Sequence, residues 1–309
     1  MAANLSPNAR IGFIGIGTMG LPMALNVLRG GYPLTVFDLS EAALAEAEKA
    51  GAHRAATIAE LVRQSDVVIT MLPDAPDVEE TALGPGGIEA NAGPGLIYVD
   101  MSTIDPVTSR RVGARLGACG IRMIDSPVAR GVENARAGTL ALMIGGDLAV
   151  FQEVEPLLRR MADTITHCGE LGNGTAMKLV NNFLSAGIVS AIAEAMTIGL
   201  KAGLPLDLMV RISGGTGTNN AWLHKLMPGK AFLGDFSPGF MSRLARKDQR
   251  LATKLAEEIG VPLTLGAAVL QLLDETTEQY PRDDFTSILR LVSERAGVEI
   301  RLSEQTGAA

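Results

Sequence analysis

A lysine and two asparagines lie close together on a stretch of sequence that is otherwise apolar. Residues 172–182 read Gly-Asn-Gly-Thr-Ala-Met-Lys-Leu-Val-Asn-Asn. A helix would bring Lys178 and Asn182, four residues apart, onto one face, with Asn181 on the same edge. Polar groups on an apolar helix are costly unless they are paired or used, and partial burial lowers a lysine pKa towards neutrality. Lys178 is therefore a candidate general acid and base, although the spacing alone also fits a lysine that extends to solvent from a helix end.

A glycine-rich turn near the N-terminus fits the pattern G-x-G-x-x-G. It occupies residues 15–20 as Gly-Ile-Gly-Thr-Met-Gly, after a strand-like run and before a helix-like one. In that context Gly15 permits a tight turn, Gly17 lets the backbone approach a pyrophosphate, and Gly20 lets the helix pack on the strand. The N-terminal amides of the helix would then bind the phosphates.

An acidic residue, Asp38, closes the second strand-like run. Its carboxylate can accept hydrogen bonds from a ribose 2′-hydroxyl and would repel a 2′-phosphate, and no arginine occurs at positions 39–41. The sequence therefore predicts NAD, rather than NADP, as the cofactor. Two alternatives stay open at this point: a structural turn that binds no nucleotide, and the same turn used for a flavin or a nucleotide sugar.

Other catalytic arrangements lack their usual sequence patterns. His53, His167 and His224 form no H-E-x-x-H or H-x-x-H pattern, and Cys119 and Cys168 have neither a metal-ligand spacing nor a disulfide framework. His167 and Cys168 are neighbours on an extended segment, so their side chains should point to opposite sides. No G-x-S-x-G elbow of a hydrolase occurs. We therefore expect free thiols and no metal site.

The overall charge and the apolar segments exclude some classes of partner. The 309-residue chain carries 27 basic and 34 acidic residues, a formal net charge of −7, without the clustered lysine and arginine that nucleic acid binding needs. Residues 1–10 lack the features of a signal peptide, and the apolar window 183–200, which includes Glu194, falls short of a membrane span. We expect a cytoplasmic protein that binds neither nucleic acid nor a membrane.

Strand-like and helix-like runs alternate in the first half of the chain. Helical spacing occurs at 19–29 and 41–50, and strand-like runs occur at 10–15, 34–37, 67–72, 96–100, 122–125 and 140–144. This alternation predicts an α/β fold with a parallel sheet that is covered by helices on both faces, and right-handed connections make it doubly wound.

The second half of the chain is helical in pattern. A long apolar helix is predicted at about 175–202, followed by helices near 206–212, 242–259, 265–278 and 285–296. A helix of that length spans roughly 40 Å, and we expect it to run through the centre of a second domain. The predicted domains are a dinucleotide-binding domain at 1–170 and an all-α domain for substrate binding and oligomerisation at 171–309.

Four segments resemble the β-hydroxyacid dehydrogenase family, and the resemblance extends over nearly the whole chain. They are Gly-Phe-Ile-Gly-Ile-Gly-Thr-Met-Gly at 12–20, Asp-Ser-Pro-Val at 125–128 with Gly-Thr-Leu at 138–140, the segment 172–182, and Lys-Asp at 247–248. The resemblance implies a Rossmann-type N-terminal domain, a long interdomain helix and an all-α C-terminal domain. It also implies a homo-oligomer, a dimer or tetramer.

The resemblance further assigns roles to individual residues. Lys178 corresponds to the family's proton donor for carbonyl reduction and proton acceptor for alcohol oxidation. Asn182 corresponds to the substrate-binding amide, with Asn181 adjacent, and Lys247 would close over the nicotinamide from the second domain. The family's other contacts to the cofactor correspond to Thr18, Met19, Asp38, Leu72, Pro73 and Thr103.

One loop departs from the family pattern D-x-P-V-S-G-G. At 125–131 it reads Asp-Ser-Pro-Val-Ala-Arg-Gly, with Ala129 and Arg130 in place of the serine and the first glycine. Arginine offers a planar fork of donors suited to carboxylate, sulfonate or phosphate. We expect Arg130 and Gly131 to bind the anionic end of the substrate, the alternative being a surface arginine at the loop rim. With this arginine, the chain resembles the sulfolactaldehyde reductase branch most.

The sequence thus predicts an NAD-dependent oxidoreductase that interconverts a short anionic β-hydroxy acid, or hydroxy sulfonate, and its semialdehyde. Sulfolactaldehyde and dihydroxypropanesulfonate are the preferred substrate pair. The alternatives are 3-hydroxyisobutyrate, tartronate semialdehyde and 4-hydroxybutyrate. An imine reductase, against which Lys178 argues, and a non-catalytic nucleotide-binding relative are more distant alternatives.

Overall fold

The computed structural model describes residues 5–302. Residues 1–4, part of the segment inspected for a signal peptide, and residues 303–309, the end of the predicted second domain, lie outside the described residues. The chain divides into a first unit, Met1–Leu179, and a second unit, Val180–Ala309. The predicted boundary near residue 170 follows the change in sequence pattern and stays a prediction.

The first unit contains a nine-stranded sheet. Within the described residues its strands are β1 (Ile11–Ile14), β2 (Leu34–Phe37), β3 (His53–Arg54), β4 (Val67–Thr70), β5 (Ile97–Asp100), β6 (Arg122–Asp125), β7 (Val128–Ala129), β8 (Leu140–Gly146) and β9 (Ala162–His167). The order is β3-β2-β1-β4-β5-β6-β8-β7, and β9 pairs with β8. In this spatial order, the first six strands, β3-β2-β1-β4-β5-β6, are all parallel. Strand β8 is antiparallel to β6 and β7, and β9 is parallel to β8.

The central strands are apolar because both of their faces are buried. Every position of β1, β4 and β5 is buried, as is typical of parallel strands with helices on both sides. Alternate side chains enter two different cores: Ile97 and Val99 of β5 lie in one, and Tyr98 lies in the other. The predicted α/β fold with a doubly wound, Rossmann-type sheet is confirmed.

Between residues 5 and 172, eight helices cover this sheet. They are α1 (Gly20–Arg29), α2 (Glu41–Ala50), α3 (Ile58–Arg63), α4 (Ala75–Leu83), α5 (Ile88–Asn91), α6 (Pro106–Ala118), α7 (Val132–Ala137) and α8 (Leu148–Leu158). Side-chain oxygens at the starts of several helices accept hydrogen bonds from the first turn, which satisfies donors that have no partner within the helix. These capping residues are Ser40, Thr57, Asp74, Asp105 and Asp147.

Helix α9 (Asn173–Lys201) begins in the first unit and ends in the second, which is otherwise helical. The remaining α-helices are α10 (Leu206–Gly214), α11 (Ser242–Glu258), α12 (Leu265–Gln279) and α13 (Ile288–Ala296), with a π-helix at Trp222–Leu226 and 3₁₀-helices at Ala231–Leu233 and Phe285–Ser287. The core of the second unit contains Val189, Phe232 and Leu273, which are fully buried. Apart from one isolated bridge, no strand occurs in residues 180–302, in agreement with the predicted all-α domain.

The expectation that the apolar helix falls short of a membrane span needs correction. With 29 residues and a mean hydropathy of 1.7 in its most apolar window, α9 is long and apolar enough to cross a membrane by length and composition. The window at 183–200 itself is this apolar, and Glu194 is its one charged residue, which is too little charge to exclude a span by composition. Its residues Ala186, Val189 and Ala193 pack in the core of the second unit. Length and composition are weak evidence for a membrane span, because buried core helices meet the same criteria.

Three strands were not predicted. Strands β3 and β7 have only two residues each, too few to show a pattern. Strand β9, Ala-Asp-Thr-Ile-Thr-His, has neither an apolar run nor a polar–apolar alternation, and most of its side chains are exposed or half-buried. It pairs with β8 at the far end of the sheet, where long-range pairing rather than an apolar run determines the structure.

Candidate active site

The glycine-rich turn between β1 and α1 has the geometry that a dinucleotide needs. Gly15 has a φ of 87°, and a Cβ there would lie 2.5 Å from the carbonyl oxygen of Met71. A Cβ on Gly20 would lie 1.9 Å from the carbonyl oxygen of Gly15, whereas a Cβ on Gly17 would meet nothing within 4 Å. The protein's own packing therefore requires Gly15 and Gly20, and Gly17 leaves open space in which a phosphate can approach the backbone.

Asp38 is tied to this turn by hydrogen bonds. Its Oδ2 accepts from the backbone N–H of Ile16 at 2.7 Å, and its Oδ1 accepts from the backbone N–H of Ser40 at 2.7 Å. Each carboxylate oxygen has a further lone pair, so the group can still accept a hydrogen bond from a ribose hydroxyl. The predicted nucleotide ligands Thr18 and Met19 lie in the same turn, directly before α1.

A buried hydrogen-bond network holds the loops that follow β4 and β5. Oγ1 of Thr70 donates to Oδ1 of Asp100 at 2.8 Å, and the backbone N–H of Ser102 donates to the same oxygen at 3.1 Å. Oγ of Ser102 accepts from the backbone N–H of Leu72 at 2.9 Å. This network positions the two loops that carry the predicted cofactor contacts Leu72, Pro73 and Thr103 at the carboxyl edge of the sheet.

Two buried carboxyl groups lie side by side at this edge. Asp100 and Asp125 are register partners at the ends of β5 and β6, and both are fully or almost fully buried. Burial raises the pKa of both carboxyls against the opposing effect of their hydrogen bonds, and the charge of Asp125 raises the pKa of Asp100 further. Oδ2 of Asp100 is buried without a hydrogen-bond partner among the described residues.

Asp125 holds the start of α9. Its Oδ1 accepts from the backbone N–H of Gly172 at 2.6 Å, and its Oδ2 accepts from the backbone N–H and the hydroxyl of Thr175 at 2.6 and 2.9 Å. The first N–H groups of a helix have no partner within the helix, and the helix dipole favours a negative charge there. Sequence reasoning did not assign this role to Asp125, because the donors are far away along the chain.

Lys178 lies one turn further along α9 than the residues that Asp125 holds. It is 8% exposed, whereas Met177 and Val180 beside it are 41% and 50% exposed. The lysine is thus on the buried side of the helix and does not extend to solvent. A buried amine in this position can serve as a general acid and base.

The second unit brings Asn182 together with two residues of α11. Nδ2 of Asn182 donates to Oδ2 of Asp248 at 2.6 Å, and Nζ of Lys247 lies 3.7 Å from Oδ1 of the same carboxylate. Nδ2 of Asn181 donates to Oδ1 of Asn182 at 3.1 Å. Asp248 is 3% exposed and was not predicted as a site residue, although it follows Lys247 directly in the sequence.

Arg130 lies in the loop between β7 and α7, with a φ of 76°, and is the one non-glycine residue with positive φ among residues 5–302. This left-handed conformation favours glycine, which stands at this position in the family pattern. The guanidinium donates to Asp163 Oδ1 at 2.7 Å, to Thr164 Oγ1 at 3.0 Å and to the carbonyl oxygen of Thr139. Hydrogen bonds from Thr164 and then Arg130 lower the pKa of Asp163. The binding of an anion by Arg130 and Gly131 stays a prediction.

The structure groups the predicted site residues within each unit. In the first unit, the glycine turn, Asp38, Leu72, Thr103 and Lys178 belong to elements at the carboxyl edge of the sheet. In the second unit, Asn181, Asn182 and Lys247 lie around Asp248. No cluster of three or more His, Cys, Asp or Glu side chains that could hold a metal ion occurs between residues 5 and 302, and Cys119 and Cys168 are free thiols.

Two family models match consecutive parts of the chain. Residues 10–169 match the family model of the NAD-binding domain of 6-phosphogluconate dehydrogenase. Residues 172–292 match the model described as NAD-binding of NADP-dependent 3-hydroxyisobutyrate dehydrogenase. The chain belongs to the β-hydroxyacid dehydrogenase family. It is an NAD-dependent oxidoreductase of that family, and the turn at 15–20 with Asp38 provides a site into which the dinucleotide fits.

Individual relatives of the family match over nearly their whole length. The 2-(hydroxymethyl)glutarate dehydrogenase of Eubacterium barkeri is 34% identical, over 96% of this chain and 99% of that protein. The 3-sulfolactaldehyde reductase of Escherichia coli K12 is also 34% identical, over 95% and 99%. The structure of Mycobacterium tuberculosis 3-hydroxyisobutyrate dehydrogenase with L-serine has a TM-score of 0.88 at 32% identity and covers 92% of this chain and 99% of that one.

Proposed function

We propose that the protein interconverts a short anionic β-hydroxy acid, or hydroxy sulfonate, and its semialdehyde, with Lys178 as the general acid and base. The observation that carries this proposal is the burial of Lys178 one turn from the start of α9, which is anchored to the carboxyl end of β6. That edge of a doubly wound sheet is where such folds bind their ligands.

Lys178 transfers the proton in this proposal. In the oxidative direction, Nζ of Lys178 accepts the proton of the substrate hydroxyl while the C–H bond of the same carbon breaks and the carbonyl forms. In the reductive direction, the ammonium donates that proton to the carbonyl oxygen. The bound nicotinamide supplies the acceptor or donor of the hydride. The oxidative step needs the neutral amine, and the reductive step needs the ammonium.

The residues of the second unit orient the substrate in this proposal. Nδ2 of Asn182 is engaged by Asp248, so the carbonyl oxygen of the amide is the atom that can accept a hydrogen bond from the substrate hydroxyl. Lys247 lies beside the same carboxylate, and the family resemblance gives it a role at the nicotinamide. Asp248 is therefore a positioning residue for both side chains.

The substrate is a small molecule with an anionic end. The names of the relatives refer to hydroxymethylglutarate, sulfolactaldehyde, hydroxyisobutyrate and, as a bound molecule, L-serine; each carries a carboxylate or sulfonate together with a hydroxyl or aldehyde group. Sulfolactaldehyde is our first choice, because Arg130 offers a fork of donors for three sulfonate oxygens, with the backbone of Gly131 adjacent.

A second candidate is a carboxylate substrate such as 3-hydroxyisobutyrate. It is favoured by the pairing of the Arg130 guanidinium with Asp163, because a guanidinium that already has a partner in the protein does not have to bind the substrate. The same reaction and the same lysine serve both candidates, which differ only in how the anion is bound.

A steady-state screen with the purified protein tests the proposal. A cyclic imine is assayed for comparison. The panel contains sulfolactaldehyde, 3-hydroxyisobutyrate, tartronate semialdehyde, 4-hydroxybutyrate, L-serine and 2-(hydroxymethyl)glutarate, each with the oxidised or reduced form of NAD and of NADP that its reaction requires. We expect turnover of at least one of them with NAD. Reduction of cyclic imines without turnover of any hydroxy acid or semialdehyde would instead support the imine reductase alternative, and cofactor binding without any turnover would support the non-catalytic one.

A further inference from the structure

We propose that Asp125 is a positioning residue for the reaction: it fixes the first turn of α9 and thereby the location of the Lys178 amine. The inference rests on the proposed role of Lys178 and extends it to a residue that does not itself touch the substrate. Nothing in the local sequence around Asp125 indicates this role, because its hydrogen-bond donors lie 47 and 50 positions further along the chain.

The hydrogen bonds of Asp125 are directed at one structural element. All three donors, the N–H of Gly172 and the N–H and hydroxyl of Thr175, belong to the start of α9. Asp125 and Thr175 are both 0% exposed, so water cannot replace a lost partner. A buried carboxylate that loses its donors is strongly unfavourable, and each of these charge-assisted bonds therefore resists displacement of the helix.

Close backbone packing restricts the position of this part of α9. A Cβ on Gly174 would lie 2.2 Å from the carbonyl oxygen of Met143 and 2.8 Å from Oδ2 of Asp125. A Cβ on Gly145 would lie 2.3 Å from Oδ1 of the same carboxylate. The helix end, β8 and the carboxylate are thus as close as glycine backbone permits, and they determine both the depth and the rotation of the helix.

Lys178 follows this anchored point within one helical turn. It is three positions after Thr175, which corresponds to about 4.5 Å along the helix axis, and residues three positions apart share a helix face. A rotation or shift of the first turn is therefore transmitted directly to the lysine. Misplacement of a reacting group by about 1 Å can lower a rate by about 10²-fold, so an anchor at Asp125 has a kinetic effect as well as a structural one.

Variants of Asp125 and of its partner test the proposal. In Asp125→Asn an amide N–H group replaces one acceptor oxygen, and in Thr175→Val the hydroxyl is lost while the shape is kept. We expect each to lower kcat by about tenfold or more, with the Kd for NAD measured by calorimetry unchanged within about twofold, because the glycine turn is untouched. Thr175→Ser keeps the hydroxyl and should restore most of the kcat that Thr175→Val loses. If Asp125→Asn fails to fold, the comparison of Thr175→Val with Thr175→Ser still tests the proposal.

Asp147 provides the matched control. It caps α8 in the same unit by accepting from the N–H groups of Ala149 and Val150 at 2.7 and 3.2 Å. Asp147→Asn should lower the melting temperature and leave kcat unchanged when all variants are assayed well below their melting temperatures. The proposal is overturned if Asp125→Asn and Thr175→Val keep the wild-type kcat, if Thr175→Ser is as slow as Thr175→Val, or if Asp147→Asn lowers kcat to the same extent.

A double variant separates this inference from the function on which it rests. If Asp125 acts through the lysine, Asp125→Asn should lower kcat no further in a Lys178→Ala background, whereas independent effects would multiply. If Lys178→Ala itself keeps normal turnover, the proposed role of Lys178 fails. If Lys178→Ala is slow and both Asp125→Asn and Thr175→Val are fast, the role of Lys178 stands and only the inference about Asp125 fails.

Discussion

The guanidinium of Arg130 lies 2.7 Å from the carboxylate of Asp163 on β9, so the residue proposed to bind the substrate's anion already has a partner of opposite charge. The side chains are 37% and 50% exposed, and surface pairs of this kind contribute little to stability. A substrate anion can therefore compete for the guanidinium. Variants of either residue of this pair can therefore measure how much Arg130 contributes to substrate specificity.

Arg130→Gly should distinguish the sulfonate from the carboxylate candidate. Glycine adopts a φ of 76° without strain, so the backbone of the loop is preserved. If the guanidinium binds the anion, KM for sulfolactaldehyde should rise by about tenfold or more, and more than KM for 3-hydroxyisobutyrate. Asp163→Asn releases the guanidinium and should lower KM for sulfolactaldehyde. Equal losses on both substrates, or no loss, would rule out a specificity role.

Lys178→Ala should lower kcat by about 10²- to 10⁴-fold, because the proton then has no positioned acceptor or donor. Cofactor affinity should stay close to that of the wild type, as measured by titration with NAD. Lys254→Ala, which removes an exposed lysine of α11 paired with Glu258, is the control and should be fully active. Turnover near the wild-type level in Lys178→Ala, with normal binding of NAD, would remove the lysine from the mechanism.

Asp38 should determine the preference for NAD over NADP. In Asp38→Asn the side chain keeps an oxygen that can accept from the N–H of Ile16, but it loses the charge that repels a 2′-phosphate and strengthens the bond to a 2′-hydroxyl. The ratio of kcat/KM for NAD to that for NADP should fall by about tenfold or more. Glu41→Gln, nearby on α2, should leave the ratio unchanged, and an unchanged ratio in Asp38→Asn would argue against ribose recognition by this carboxylate.

Variants of two glycines in the turn should distinguish an effect on cofactor binding from an effect on folding. Gly17→Ala meets no atom within 4 Å, so its melting temperature should stay near that of the wild type while the Kd for NAD rises. Gly20→Ala places a Cβ 1.9 Å from the carbonyl oxygen of Gly15 and should lower the melting temperature sharply. Thermal unfolding with and without NAD measures both effects. A Gly17→Ala variant that binds NAD normally would contradict the assignment of the phosphate site.

The buried carboxyl of Asp100 should make its own contribution to the pH dependence of stability. Burial, above all, raises its pKa in the folded state, so its contribution to folding is fully present below the unfolded pKa and is lost as the pH rises through the folded pKa. Relative to Asp100→Asn, the wild type should therefore become less stable over the pH range that begins at the unfolded pKa of an aspartate, about 3.9, and ends above the raised folded pKa. Denaturant unfolding across this range measures the difference.

Asp66 provides a control, because its pKa is shifted in the opposite direction to that of Asp100. The hydrogen bond from Arg10, above all, lowers the pKa of Asp66, so its contribution is present above the unfolded pKa and is lost as the pH falls through the folded pKa. Relative to Asp66→Asn, the wild type should become more stable as the pH rises. If the two comparisons change in the same direction, burial does not determine the charge state of Asp100.

Local patterns allowed much of the fold and part of the site to be predicted. Apolar runs located β1 and β2, and helical spacing located α2, almost to the residue, and the glycine turn and the burial of Lys178 agree with their sequence context. What local patterns could not show are partners that are distant in the chain. The hydrogen bonds of Asp125 and Asp248 join residues 47 and 66 positions apart. The engagement of Arg130 with Asp163 likewise depends on the pairing of β8 with β9.

The attachment of Asp125 to the start of α9 also affects how the protein can be divided for separate expression. A fragment that ends near residue 170, where the sequence pattern changes, would lack all three donors and would leave a carboxylate buried without partners. A fragment that continues to Leu179 would retain them. The first turns of the long helix thus belong to the nucleotide-binding half as an integral part of its structure, even though the rest of that helix supplies the core of the other half.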